Sequence, residues 1–207
     1  MKNFITIEGC EGVGKSTQIR LLQEYFKKNR ADVLFTREPG GSKIAESIRN
    51  IILYQTGENM SDVTEAMLFA AARAQHVQEI VAPALRRGKL VFCDRFVDSS
   101  YAYQGFARGL GYEFVQRLNA LAVGEYMPQY TVFLDLSPQK AFQRKGGADQ
   151  TDRLELQDLS FHQKVYEGYL EVMRQNPERF LRIDAGGSMD ETFAKIISEL
   201  KKRNVIS

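Results

Sequence analysis

Near the start of the chain, Gly9 to Thr17 read GCEGVGKST. Gly9, Gly14, Lys15 and Ser16 satisfy the spacing G-x-x-x-x-G-K-[S/T], that of a loop built to wrap phosphate. Four specified positions coincide by chance on the order of once in a hundred chains of this length. Lacking a Cβ, the glycines let backbone N–H groups converge on an anion, and the following helix adds the positive end of its dipole. Lys15 suits the β- and γ-phosphates of a nucleoside triphosphate, and the Ser16 hydroxyl suits Mg²⁺. Cys10, Glu11, Gly12, Val13 and Thr17 complete the nucleotide-binding set. Glu11 is the odd member, a carboxylate inside a phosphate cradle. Because such a loop binds through backbone N–H groups, this side chain is free to point elsewhere.

A second stretch, KLVFCDR (89–95), reads as a buried strand ending in Asp94, where a carboxylate holds Mg²⁺ through water. Strands also end in Asp at ordinary turns, so Arg95 is the more telling neighbour: it offers a cation for a second anion. Further short runs rich in β-branched and aromatic residues are FITIE (4–8), DVLFT (32–36), YTVFLDL (130–136) and RFLRID (179–184). Amphipathic stretches lie between them, with Ile19, Leu22 and Phe26 after the loop and Phe193, Ile196, Ile197 and Leu200 near the end. Strands alternating with helices predict an α/β fold, a parallel sheet covered on both faces. The segment QRKGGADQTDR (143–153) breaks the pattern. It reads either as an exposed loop or as a lid whose charges close over a ligand.

The 207 residues suggest one domain, and 28 basic against 26 acidic residues give a formal charge of +2. That balance argues against bulk nucleic-acid binding. Lys201 to Arg203 read as a solvated helix end. Cys10 and Cys93 have no metal-ligand spacing and suit a reducing cytoplasmic setting, Cys10 as a small packing residue. His76 and His162 are the two histidines, too few for a histidine-rich metal site. Neither a membrane span nor a signal-peptide pattern is expected.

TREPGG (36–41), EAMLFAAARAQH (65–76), DRFVDSSYAYQG (94–105) and DRLE (152–155), together with the phosphate loop, resemble the bacterial thymidylate kinase family. The resemblance runs in order from Phe4 to the final helix. It implies a P-loop NTPase-type, doubly wound, five-stranded parallel sheet with a short lid, transfer of the γ-phosphoryl of ATP to dTMP, Mg²⁺ as cofactor and a homodimer. It also implies roles. Phe69 and Arg73 share a helix face, so Phe69 can stack on the base while Arg73, a donor-only group, bonds thymine O4. Gln104 completes the reading of the base edge, with Ser100 nearby, and Tyr103 lies close to the sugar. Arg37 and Arg95 hold the dTMP phosphate, and Pro39 borders the thymine methyl. The acceptor phosphate has a second pKa of about 6, so no general base is required.

The family's acid at the position of Glu11 faces the acceptor, near the sugar 3′-hydroxyl and the phosphate-binding arginines. With no cation between Gly9 and Gly14, the catalytic charge comes from the lid: Arg144, Lys145 or Arg153. The preferred assignment makes Arg153 catalytic and Arg144 a contact to the adenine nucleotide. Gly146 and Gly147 depart from the more arginine-rich lids of the family. DAGG (184–187) resembles the segment that borders adenine. Two rival readings stand beside this one. The first is a P-loop kinase for another monophosphate or a nucleoside. The second is a GTP-dependent switch, disfavoured because DAGG lies too near the C-terminus and no N-K-x-D motif occurs.

Overall fold

The computed structural model describes residues 3–54, 59–145 and 152–206. Five strands, β1 (Phe4–Glu8), β2 (Val33–Arg37), β3 (Leu90–Asp94), β4 (Tyr130–Asp135) and β5 (Phe180–Asp184), form one parallel sheet in the order β2-β3-β1-β4-β5. Each predicted strand is present, with ends moved by a residue or so. All five residues of β1 are buried, as are the middles of β3 and β4, because helices cover both faces. The chain leaves β1 for β2 on one side and later reaches β4 on the other. That reversal opens a crevice beyond the carboxyl ends of β1 and β3, the place where such sheets bind ligands.

Helix α1 (Lys15–Lys28) begins directly from the phosphate loop, with Gly14 as its N-cap at φ 95°. A cap in the left-handed region favours glycine, and a glycine has no side chain to occupy the first free N–H groups. Helices α2 (Lys43–Tyr54) and α3 (Asp62–His76) pack together, and Ser61 caps α3 by accepting from the Thr64 N–H at 3.2 Å. A π-helical turn over Val77–Val81 and the short α4 (Ala82–Arg86) lead into β3. After β3 come α5 (Val97–Ser100), a second π-helical segment over Tyr101–Ala107, and α6 (Tyr112–Val123), which packs on α3. Helix α7 (Pro138–Lys145) follows β4, and α8 (Leu159–Gln175) starts on Asp158, which accepts from the Phe161 N–H. A reciprocal Ser188–Glu191 capping box starts α9 (Met189–Lys202). Of the expected lid, Gly146, Gly147 and the rest of 146–151 lie outside the described residues, as does the Lys145 side chain.

Helix α8 presses on the second π-helical segment at Gly168. A Cβ there would stand 2.9 Å from Phe106 Cβ and 3.0 Å from the Ala102 Cα. The clash meets another element's backbone, so it is not relieved by a rotamer change. Gly168→Ala is expected to lower stability by about 1–3 kcal/mol. Urea unfolding checks this: an unchanged midpoint would mean the two helices separate freely.

Candidate active site

One cavity of about 450 Å³ opens at the crevice. The phosphate loop forms one wall through Glu11, Gly12, Gly14, Lys15, Ser16 and Thr17. Gly9, Cys10 and Val13 support that wall from behind, with Cys10 and Val13 buried. Gly12 has φ 77° and packs against the carbonyl of Ala141, which a Cβ would approach to 2.9 Å. Lys15 is buried, and its Nζ donates to the carbonyls of Gly9 (3.1 Å) and Cys10 (3.0 Å). Burial, followed by repulsion from Arg95, lowers its pKa below the usual lysine range. Burial also lifts the Cys10 thiol to about 12, so it is a protonated packing group at neutral pH.

Asp94 ends β3 and lines the cavity with Ser16. Its Oδ1 is buried without a hydrogen-bond partner among the described residues. A buried orphan carboxylate oxygen beside a phosphate loop suits a hard divalent cation or one of its waters. No cluster of three or more His, Cys, Asp or Glu stands among the described residues.

Arg95 follows β3 at φ 63°. Its Nη1 donates to Gly9 O (3.0 Å), Ser99 Oγ (3.2 Å) and Tyr169 Oη (3.1 Å), and its Nη2 to Glu11. Tyr103 donates to the same Glu11 oxygen at 3.4 Å, and its ring lies 5.3 Å from the Arg95 guanidinium carbon. Glu11 thus faces Arg95 and Tyr103. Arg37, the last residue of β2, pairs with Glu46 at 2.9 Å and donates to Pro39 O. Arg49, which the sequence reading passed over, also donates to Pro39 O (2.8 Å) and lines the cavity.

The same cavity is lined by Phe69, Arg73, Ser100, Tyr103 and Gln104. Arg73 is 1% exposed and already engaged: Nε to Glu38 (2.8 Å), Nη1 to Ser100 (3.1 Å) and Asn119, Nη2 to Phe96 O (3.2 Å). Of its five N–H groups, these bonds use four and leave one on Nη2. Glu38 also takes a 2.8 Å contact from His76 Nδ1, and His76 meets Thr36 at 2.7 Å. Glu38 and Asn119 were missed because their partners lie far away in the chain.

Arg144 lines the cavity and donates to the carbonyls of Ala185 and Gly186, both at 2.6 Å. It therefore lies against the DAGG segment. Arg153 is not brought to the cavity. Its Nε donates to Ile52 O (3.0 Å) and its Nη2 to Glu65 (2.5 Å). The reason is electrostatic: Glu65 is fully buried, and a buried carboxylate needs a counter-charge. A Glu65 signal did exist, since 65, 69 and 73 fall on one stripe of α3.

A P-loop beside a buried parallel sheet, facing an arginine-rich acceptor wall, defines the P-loop nucleotide-kinase class. Comparison with known proteins narrows it. The thymidylate kinase family model matches residues 7–196. Thymidylate kinase of Symbiobacterium thermophilum is 50% identical over 191 residues, covering 92% of this chain and 89% of that protein. That of Finegoldia magna is 48% identical, covering 98% and 100%. The crystal structure of thymidylate kinase from Ehrlichia chaffeensis superposes with a TM-score of 0.76 at 30% identity, covering 96% and 97%. The chain belongs to the thymidylate kinase family.

Behind Arg95 lies Glu8, fully buried, accepting from the Phe96 N–H (2.7 Å), Ser99 Oγ (2.7 Å) and Tyr169 Oη (2.8 Å). Burial, reinforced by the charge of Asp98, lifts its carboxyl from 4.5 to about 7. The folded protein therefore holds this proton more tightly than the unfolded chain does. The stabilisation is complete below pH 4.5 and is lost as the pH rises through 7. Glu8→Gln carries no charge at any pH, so its unfolding free energy should change less between pH 5 and 8 than that of the parent. Equal slopes would assign the titration to another group.

Proposed function

We propose that this chain transfers the γ-phosphoryl group of ATP to dTMP, giving dTDP and ADP, a step toward dTTP, across the cavity described above. The observation that carries this reading is the pairing of two walls in one space. A phosphate loop faces a pocket with an aromatic ring, an arginine N–H and a glutamine amide. ATP phosphates lie on the loop N–H groups and Lys15, which exchanges its two carbonyl partners for phosphate oxygens. Ser16 and Asp94 would hold Mg²⁺, which would supply neutralisation of the phosphate charge. Arg144 and the 184–187 segment border the adenine nucleotide.

On the acceptor side Arg95 and Arg37 hold the dTMP phosphate, with Arg49 as a third cation in reach of the same space. Phe69 stacks on thymine, and the remaining Nη2 N–H of Arg73 is directed to O4. Ser100 holds Arg73 in place, Pro39 borders the methyl group, and Tyr103 crowds the sugar. Glu11 keeps Arg95 oriented and faces the 3′-hydroxyl. The acceptor phosphate is already anionic near neutral pH, so alignment and charge neutralisation supply the catalysis. The further cation comes from Arg144 or Lys145, since Arg153 is engaged by Glu65.

Two further features belong to this reading. No helix among the described residues is long and apolar enough to cross a membrane, and both cysteines are free and buried, as suits the cytoplasm. Val63 and Met67 on α3, with Phe114 and Leu121 on α6, leave apolar side chains in solvent, Leu121 at 95% exposure. Two packed helices with such a face support a homodimer.

Turnover of dTMP, dUMP, dCMP, AMP and GMP with ATP and Mg²⁺ tests the reaction. dTMP is expected to lead, and preference for a purine would overturn the assignment. In the same assay Arg95→Ala should lower kcat/KM for dTMP on the order of 100-fold while the ATP KM moves little. Surviving turnover would remove Arg95 from the acceptor site. Sedimentation velocity tests the assembly: the parent should run as a dimer and Leu121→Glu as a monomer, and a monomeric parent would sink the dimer.

A further inference from the structure

Glu65 stands outside the cavity, fully buried, and has had no role so far beyond holding Arg153. It collects four donors. Gln104 Nε2 reaches Oε1 at 2.9 Å, and Arg108 spans both oxygens, Nε to Oε1 at 3.3 Å and Nη2 to Oε2 at 3.2 Å. Arg153 takes Oε2 at 2.5 Å. Arg108 is itself fixed, with its guanidinium carbon 4.5 Å from the centre of the Phe161 ring and its Nη1 on Gln157 at 3.2 Å. Both oxygens of Glu65 therefore act as acceptors.

A glutamine amide has two faces, one donating and one accepting, and shape alone does not choose between them. Here the neighbour chooses. Turning the Gln104 amide over would set its carbonyl oxygen against a carboxylate oxygen. Glu65 therefore binds the NH₂ group and leaves the Gln104 carbonyl toward the cavity, which Gln104 lines while 1% exposed. Gln104 Oε1 has no hydrogen-bond partner among the described residues.

We propose that Glu65 is a specificity-positioning residue: by locking the Gln104 amide carbonyl-forward, it makes the site demand a pyrimidine whose ring nitrogen carries a hydrogen. The proposal rests on the dTMP reading given above. Paired with the single free N–H of Arg73, the pocket presents one acceptor and one donor. Thymine answers both with N3–H and O4. A cytosine ring answers neither, since its N3 accepts and its 4-amino group donates. Guanine has the same N–H and C=O polarity as thymine, so purines are refused by volume and not by Glu65. The discrimination set by Glu65 is thus confined to pyrimidines.

The test compares dTMP with 5-methyl-dCMP, which keeps the methyl group and reverses both polar groups. In Glu65→Gln, residue 65 can meet either face of Gln104. The ratio of kcat/KM for dTMP over 5-methyl-dCMP should fall on the order of tenfold or more, while the KM for ATP stays within about twofold. In a Gln104→Leu background the same change at 65 should leave the ratio unmoved, because the effect passes through Gln104. Equal loss on both substrates, or an undiminished effect without Gln104, would reduce Glu65 to a structural anchor and overturn the proposal. Should Glu65→Gln fail to fold, the parent protein still decides. By ¹⁵N NMR the Gln104 side-chain NH₂ protons should be protected from exchange both with and without dTMP. Unprotected protons, or protection that appears only with dTMP, would overturn it. A parent enzyme that does not use dTMP would refute the underlying reading instead, a result visible before any variant is made.

Discussion

The ion pair between Arg95 and Glu11 joins the residues that follow β3 and β1, adjacent strands of the sheet. Arg95 sits in the left-handed region at φ 63°, which costs a non-glycine residue of order 1–3 kcal/mol. Its amide bonds Ile7 O at 3.1 Å, and its Nη1 is shared among Gly9 O, Ser99 and Tyr169. The backbone strain is therefore held by contacts from β1, α5 and α8 together. Because those elements are locked by the sheet, the guanidinium is placed before any ligand arrives. In the acceptor role proposed for Arg95, no long side chain would have to be ordered at the moment of binding.

The same pairing explains why acids crowd a site built for anions. Arg37, Arg49, Arg73, Arg95 and Arg144 all line one cavity of about 450 Å³. Unliganded, that much positive charge in a partly buried space would repel itself. Glu46 takes Arg37, Glu38 takes Arg73, and Glu11 takes Arg95. Each carboxylate keeps its arginine aimed without occupying all of its N–H groups. Glu11 in the phosphate loop is one member of this set, and its side chain meets the acceptor wall while the loop backbone remains available for ATP.

Much of this was legible in the chain. The strands were, because buried parallel strands read as unbroken apolar runs, and the loop was, because its spacing is set by backbone geometry. Phe69, Arg73, Gln104, Arg95 and Glu11 do converge on one space. The π-helical segment over Tyr101–Ala107 was not legible, since widening one turn leaves hardly any mark on the residue pattern. Ion-pair partners were the larger omission. Arg153 lies 88 residues from Glu65 in the chain, and Arg73 lies 35 from Glu38. Charge pairs at such separation follow from the packing of helices, which periodicity does not specify.

Arg153 and Arg144 illustrate how partner chemistry ranks cations that look equivalent in sequence. Both flank 146–151, and both are bonded to protein acceptors before nucleotides bind. Arg153 rests on a fully buried carboxylate; withdrawing it would leave Arg108 as the remaining described cation on Glu65 and weaken a charged bond. Arg144 rests on the neutral carbonyls of 185–187, at a half-exposed edge of the cavity. Exchanging a neutral carbonyl for a phosphate oxygen replaces a bond with one charged partner by one with two, whereas leaving a buried carboxylate forfeits a bond of the doubly charged kind first. Of the two, Arg144 is thus held by the weaker contacts. Arg153 ties residue 153 to helix α3 through Glu65.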